Sequence, residues 1–133
     1  GEVGSHLAKM LSDEDRDIVV IDSDERKLFA LDSYNLQTSQ GECISFKMLQ
    51  NNGVEHCELF IAVTPFETKN LLACSIAKSM GAKKTVARID NYEFLRPEYA
   101  DFFKNMGVDT LIYPELFAAE EIATALKHNW VRN

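Results

Sequence analysis

Residues 58–89, ELFIAVTPFETKNLLACSIAKSMGAKKTVARI, contain a strand, a helix and a second strand, and this order decides the fold. The apolar run ELFIAVT is typical of a strand that is buried on both faces. The segment that follows predicts a helix, because Pro65 stands near its first turn and Gly81 lies just past its end. KKTVARI then predicts a further strand. A helix between two strands favours a right-handed crossover, and hence parallel pairing.

The same alternation extends over the rest of the chain. Residues 17–22, DIVVID, predict another strand that is buried on both faces. Residues 35–42, NLQTSQGE, predict a shorter, more polar strand towards the sheet edge, and Ser45 caps a brief helix after it. Further along, we predict a helical region around 98–107, a strand at 108–113 and a closing helix. The expected fold class is α/β, a Rossmann-like doubly wound parallel sheet with helices on both faces.

Length and composition indicate one domain. A chain of 133 residues with 46% hydrophobic content can bury one proper core. Within residues 1–133, we assign 1–113 to the sheet and its helices, and 114–130 to the closing helix, a candidate for dimerisation. The net charge of −7 disfavours binding to nucleic acid or to an anionic membrane surface. No apolar run approaches the roughly 20 residues that span a bilayer, so we expect a soluble chain without membrane insertion.

Cysteine and histidine spacing favours neither a disulfide framework nor a metal site. The cysteines form no C-x-x-C pair, so we expect them to be reduced and mostly structural. The histidines are far apart and lack metal-ligand spacing with a cysteine or a carboxylate, so we predict no metal. The residues concerned are Cys43, Cys57, Cys74, His6, His56 and His128.

The chain opens on GEVGSHLAKML, where Gly1 and Gly4 fit the second and third glycines of the dinucleotide fingerprint G-x-G-x-x-G. The helix that follows offers free N–H groups and a positive dipole end to phosphate. A loop tip with a close helix contact is the alternative. The fingerprint's first strand, central in the sheet order 3-2-1-4-5-6, is absent from the sequence. The two strands beside it would then bury unpaired backbone groups, at a free-energy cost of about 1–3 kcal/mol for each group. We therefore expect residues ahead of Gly1 in the natural protein.

Asp22 strengthens the dinucleotide hypothesis. It ends an apolar strand 21 positions after Gly1, where an acid accepts hydrogen bonds from the ribose hydroxyls of an adenosine. A carboxylate there favours NAD over NADP, whose 2′-phosphate it repels. The alternative is an ordinary turn, since Asx side chains bond to the following backbone amides. Ser23 caps a helix that starts at Asp24 in the same turn.

Four stretches together resemble a known family: GEVGSHLAKML, VVIDSDERKL, LFIAVTPFETKNLLACSIAKSMGAKKTVARI and DTLIYPELFAAEEIATAL. They look like the N-terminal nucleotide-binding domain, also called the RCK or KTN domain, of TrkA-type regulatory subunits of Trk potassium-uptake systems. The resemblance covers nearly the whole chain. It implies a cytoplasmic domain, peripheral at the inner face of the plasma membrane, that binds NAD or NADH, alternatively ATP or ADP. It also implies assembly as a dimer or tetramer, to which the closing helix contributes, on a membrane potassium-translocating subunit.

The resemblance further implies which residues bind the nucleotide. The opening loop would hold phosphate, and the acid after the second family strand would bind the ribose. The turn after the third strand would bind the adenine, although a cysteine there replaces a usual glycine or alanine. Side chains after the fourth and fifth strands would lie near the phosphates and the second ribose. The implied set is Gly1, Glu2, Val3, Gly4, Asp22, Ser23, Asp24, Glu42, Cys43, Thr64, Glu67 and Arg88.

Several of these residues also have a purely structural interpretation. Thr64 and Glu67 could cap and charge the start of the helix, and Arg88 could pair with a nearby carboxylate. Asn70 is expected to fix the helix rather than to contact a ligand. Many relatives carry a basic residue where this chain has Asp90, and a carboxylate there disfavours ATP unless a metal ion bridges.

The main functional alternative is an NAD-dependent oxidoreductase domain. Such enzymes normally add a substrate domain or a general acid over the nicotinamide, whereas the predicted elements of this chain all belong to the nucleotide-binding fold. No Y-x-x-x-K pattern occurs, because Tyr92, Tyr99 and Tyr113 lack a lysine four positions later. We therefore expect a regulatory domain and not an enzyme.

Overall fold

A computed structural model describes residues 17–22 and 44–114, the backbone of residues 36–40, and residue 124. Within these residues the sheet has five parallel strands in the order β2-β1-β3-β4-β5. This arrangement confirms the predicted α/β, Rossmann-like class. The strands are β1 (Ile18–Asp22), β2 (Leu36–Gln40), β3 (Leu59–Ala62), β4 (Lys84–Arg88) and β5 (Thr110–Ile112).

The described helices follow the predicted alternation. They are α1 (Phe46–Asn51), α2 (Glu67–Met80) and α3 (Ala100–Met106). Helix α3 lies in the region around residues 98–107 where a helix was predicted, and two short 3-10 segments precede it, Tyr92–Leu95 and Pro97–Tyr99. Pro97 stands at the start of the second segment, a position where its missing N–H costs nothing. The helices predicted after Gly4 and from Asp24 lie outside the described residues, as does the closing helix except for the helical Thr124.

The observed order corresponds to 3-2-1-4-5-6 without the first strand, so that the two strands on either side of it are direct neighbours. β1 and β3, which would flank that strand, pair directly in parallel, with Ile18 opposite Leu59 and Ile21 opposite Ala62. The unpaired backbone groups expected at this position are therefore not present, because each of the two strands takes the other as its neighbour.

Burial follows the apolar runs that predicted the strands. Every residue of β1 and β3 is buried, and β2, the polar strand, lies at an edge of the described sheet as predicted. Helix α2 packs on the sheet through a stripe that includes Ala73, Cys74 and Ala77. No helix among the described residues has the length and apolarity that a membrane crossing requires.

Two of the three cysteines are described, and both are free and buried. Burial raises the pKa of the Cys57 thiol to about 12, because a thiolate is poorly stabilised away from water. Burial likewise raises the pKa of Cys74, whose Sγ donates to the Val86 carbonyl oxygen at 3.3 Å. Both thiols therefore lie in the core, where structural cysteines are expected, while Cys43 lies outside the described residues.

Local capping fixes the elements next to the sheet. The Ser45 side chain accepts a hydrogen bond from the Met48 amide at 3.1 Å, which confirms the predicted cap of α1. Helix α2 ends as predicted at Gly81, where φ is +127° and the amide bonds back to the last turn. At its start α2 has Phe66 as N-cap without a capping bond from its own side chain, but the Phe66 amide donates to the Thr64 hydroxyl at 3.2 Å. Glu67 places a negative charge in the first turn, as the structural interpretation predicts.

Candidate functional site

The strand register brings three sequence-predicted residues to one edge of the sheet. Ile21 lies opposite Ala62, and Ala62 lies opposite Ala87. One residue further along, β1 ends at Asp22 and β4 ends at Arg88, with Val63 between them. Thr64 follows directly after Val63. In open parallel sheets the edge formed by the carboxyl ends of the strands is where ligands bind.

Asp22 is 3% exposed at the end of β1, and its register partner on β2 is Gln40. A carboxylate that loses water requires polar partners, and both the hydroxyls of a ribose and the following amides of an Asx turn are partners of that kind. The position fits the ribose acid that the sequence predicts. Ser23 and Asp24, which continue the same turn, lie outside the described residues.

Thr64 is 1% exposed and is held by Asn70. The Thr64 hydroxyl donates to Asn70 Oδ1 at 2.7 Å and accepts from the Phe66 amide at 3.2 Å. The Thr64 amide also donates to Asn70 Oδ1, at 2.9 Å. These bonds fix the turn between β3 and α2, and they direct the hydroxyl proton to Asn70.

Asn70 is the residue whose importance the sequence reasoning underestimated. Besides bonding to Thr64, its Nδ2 donates to the Arg88 carbonyl oxygen at 3.0 Å, across 18 positions of sequence. Asn70 therefore fixes two strand ends and not only its own helix. A signal was available, because Ala73, Cys74 and Ala77 follow it at helical spacing and put Asn70 on the buried face. A buried amide must find hydrogen-bond partners.

Glu67 ties the loop after β4 to the first turn of α2. Its Oε2 accepts hydrogen bonds from the amides of Asp90 and Asn91, at 2.7 and 2.8 Å. Two charge-assisted bonds to adjacent backbone amides hold that loop in one conformation. Glu67 thus fixes one side of the carboxyl edge of the sheet, where open parallel sheets form their ligand-binding crevice.

Arg88 combines a mostly buried side chain with a carboxylate neighbour. The Nε of Arg88 lies 3.7 Å from Asp90 Oδ1, and the two side chains are 21% and 49% exposed. The structural interpretation of Arg88 as an ion-pair partner of Asp90 is thereby confirmed. At that distance the contact is an ion pair and not a hydrogen bond, and within the described residues the buried Nε atom has no hydrogen-bond partner.

The described part of the site combines chemically distinct groups at one edge of the sheet. A buried carboxylate, Asp22, stands at one strand end, and a guanidinium, Arg88, stands two strands away. Such a pair suits a ligand with hydroxyl groups at one end and an anionic group at the other. Of the sequence-predicted residues, Gly1, Glu2, Val3, Gly4, Ser23, Asp24, Glu42 and Cys43 lie outside the described residues.

Proteins of known sequence that resemble this chain come from potassium-uptake systems. The Trk system potassium uptake protein TrkA homolog of Archaeoglobus fulgidus is 35% identical over 127 residues, which cover 92% of this chain and 28% of that protein. The Trk system potassium uptake protein TrkA of Haemophilus influenzae is 34% identical over 131 residues, covering 96% of this chain and 29% of that protein. The chain thus spans less than a third of either relative.

Solved structures with the same fold include two of the GsuK channel. The GsuK RCK domain has a TM-score of 0.56 at 16% identity, covering 87% of this chain and 29% of that chain. The GsuK channel bound to NAD has a TM-score of 0.58 at 14% identity, covering 84% of this chain and 20% of that chain. At these identities the likeness shows the fold alone.

The family assignment rests on sequence. The TrkA-N domain family matches residues 1–114, and the matched region includes β1 to β5 and all of the implied nucleotide-binding residues. The chain belongs to the TrkA-N domain family.

Proposed function

We propose that this chain is a regulatory domain that binds NAD or NADH and controls a membrane potassium-translocating subunit from its cytoplasmic face. The observation that carries the proposal is the alignment of Asp22, Thr64 and Arg88 at the carboxyl edge of a parallel sheet, in a TrkA-N domain. In this proposal Asp22 accepts hydrogen bonds from the adenosine ribose, and Arg88 attracts a phosphate. The opening loop, Gly1 to Gly4, holds the pyrophosphate.

Charge at the crevice rim favours NAD(H) over ATP as the ligand. Asp90 lies 3.7 Å from the Arg88 Nε and offsets its positive charge, and the Glu67 carboxylate adds a second negative group at the same rim. A terminal phosphate brought to Arg88 would meet both carboxylates, whereas a dinucleotide has no terminal phosphate. NAD bound to the GsuK channel, which shares the fold, supports the same choice.

Regulation requires that the nucleotide bind two states of the assembly with different affinity. The bound nucleotide would change how two or four copies sit against one another, and that rearrangement would bias the pore. The coupling free energy equals the difference between the ligand's binding free energies in the two states. A ligand that binds both states equally would regulate nothing.

The experiment that tests nucleotide binding is isothermal titration of NADH, NAD, ATP and ADP into the full-length protein and its Asp22→Ala variant. We expect NADH or NAD to bind most tightly. Asp22→Ala should weaken that binding by about tenfold to a hundredfold, because it removes a charged acceptor of ribose hydrogen bonds.

Asp17→Ala is the matched control for Asp22→Ala. It removes the same charge just before β1, where the side chain is exposed, and it should leave the affinity unchanged. If none of the four nucleotides binds the wild-type protein, the proposed function is wrong.

Turnover assays separate a regulator from an oxidoreductase. A regulatory domain should bind NADH without oxidising it when aldehydes or 2-oxo acids are added. Steady NADH consumption that Asp22→Ala abolishes would contradict the regulatory proposal and favour the oxidoreductase alternative.

A further inference from the structure

The side-chain amide of Asn70 links the ends of two neighbouring strands. Its Oδ1 accepts from the Thr64 amide at 2.9 Å and from the Thr64 hydroxyl at 2.7 Å. Its Nδ2 donates to the carbonyl oxygens of Thr64 and Arg88, each at 3.0 Å. Thr64 follows β3 and Arg88 ends β4, so one side chain on α2 holds both strand ends together.

These four bonds use the full capacity of the amide. Asparagine offers two N–H donors and an oxygen that accepts two bonds, and all of these groups are engaged. The two carbonyl partners require donors, and the two Thr64 donors require an acceptor, so a single orientation satisfies all four. Aspartate has nearly the same shape but lacks both donors, and it would set a carboxylate oxygen against the carbonyl oxygens of Thr64 and Arg88.

Asn70 itself is 1% exposed and buried beneath the strand ends, so its influence on a ligand must pass through Thr64 and Arg88. The Arg88 carbonyl bond fixes the backbone from which the guanidinium projects. The Thr64 bonds fix the turn that follows β3 at the same edge of the sheet.

We propose that Asn70 is a positioning residue for the nucleotide site, holding Thr64 and Arg88 at the spacing that the phosphate half of the ligand requires. This inference rests on the proposed nucleotide-binding function. Glu67 lies three positions earlier on the same helix and holds the amides of Asp90 and Asn91. The first turn of α2 thereby keeps both strand-end loops in place.

The proposal predicts a selective loss of affinity in the Asn70→Asp variant of the full-length protein. NADH should bind about tenfold or more weakly, because the bond that positions the Arg88 backbone is lost. Adenosine, which has the ribose hydroxyls but no phosphate and would depend on the Asp22 end of the crevice, should keep its affinity within about twofold. Titration of NADH and adenosine into wild-type and variant protein measures both values.

Thr85→Val is the matched control, since Thr85 is a buried polar residue near the opposite end of β4 and bonds to Asp109. It should lower thermal stability without weakening NADH binding. Hydrogen exchange supplies a readout that needs no ligand: in Asn70→Asp, protection should fall at residues 64–67 and 88–91 and persist at 84–86.

Different results would defeat the two proposals. If the wild-type protein binds NADH and the Asn70→Asp variant binds it equally well, only the proposed role of Asn70 is overturned. Parallel loss of NADH and adenosine affinity in that variant would also overturn it, because general destabilisation would then be sufficient. Wild-type protein that binds no nucleotide would defeat the proposed function itself, and the role of Asn70 with it.

Discussion

Two arginine–carboxylate pairs of the same sequence spacing differ in their surroundings. Arg88 and Asp90 lie 3.7 Å apart at the crevice rim, with the arginine side chain 21% exposed. Arg96 and Glu98 lie 3.4 Å apart, and both side chains are 56% exposed. An ion pair in open solvent contributes little, whereas a charge beside a partly buried guanidinium changes what that guanidinium can bind. Asp90 is therefore the residue at which we expect ligand selectivity to be set.

Asp90→Asn should shift selectivity towards ATP. Removing the carboxylate exposes more of the Arg88 charge to a terminal phosphate, so ATP should bind about fivefold more tightly, with NADH affinity changed by less than about twofold. Glu98→Gln makes the equivalent change in the exposed pair and should alter neither affinity. Competition titrations of ATP against NADH give the ratio directly. An unchanged ratio in Asp90→Asn would exclude the carboxylate as the source of selectivity.

At the scale of elements, the sequence predicted the strands and α2 well, because apolar runs and terminal Pro and Gly signals are local. It located Asp22, Thr64 and Arg88 at strand ends for the same reason. It did not reveal the Asn70 links, because bonds between residues 70 and 88 exist only after β3 and β4 have paired. The direct pairing of β1 with β3 was also unforeseen, since strand order depends on contacts far apart in sequence.

The end of α2 depends on a glycine for two separate reasons. Gly81 has φ of +127°, and a Cβ built there would lie 2.8 Å from the carbonyl oxygen of Glu55, a backbone atom that cannot move alone. Gly53 also has positive φ, +73°, but a Cβ there would meet nothing within 4 Å. Gly53 therefore carries backbone strain alone, whereas Gly81 combines a φ that L residues adopt less readily with a steric clash.

Gly81→Ala should destabilise the domain more than Gly53→Ala. We expect about 1 kcal/mol of lost unfolding free energy at residue 53, from conformation alone, and about 3 kcal/mol at residue 81, where the clash is added. Urea denaturation monitored by circular dichroism measures both. Equal losses would mean that the Glu55 backbone moves aside freely.

On the scale of the whole molecule, the two ends of β4 lie in different polar networks. At its carboxyl end, Arg88 and its neighbours shape the crevice. Near its amino end, Asp109 accepts from the Thr85 amide at 3.0 Å and pairs with Lys78 at 2.8 Å, which joins α2, β4 and the segment before β5. Helix α2 contributes to both networks, so it connects the candidate binding edge, at the carboxyl ends of the strands, to the edge at their amino ends.

A nucleotide that regulates through assembly must obey reciprocal linkage. If NADH favours one arrangement of two or four copies, then assembly must change NADH affinity by the same factor, about fivefold or more for useful coupling. The apparent NADH dissociation constant of the full-length protein should therefore vary with protein concentration across the assembly transition. Sedimentation velocity should show NADH shifting the oligomer distribution, and Asp22→Ala should remove that shift while leaving the ligand-free distribution unchanged. If the NADH dissociation constant does not depend on protein concentration, and the oligomer distribution is the same with and without NADH, then assembly is not the regulated step. This holds even if NADH binds tightly.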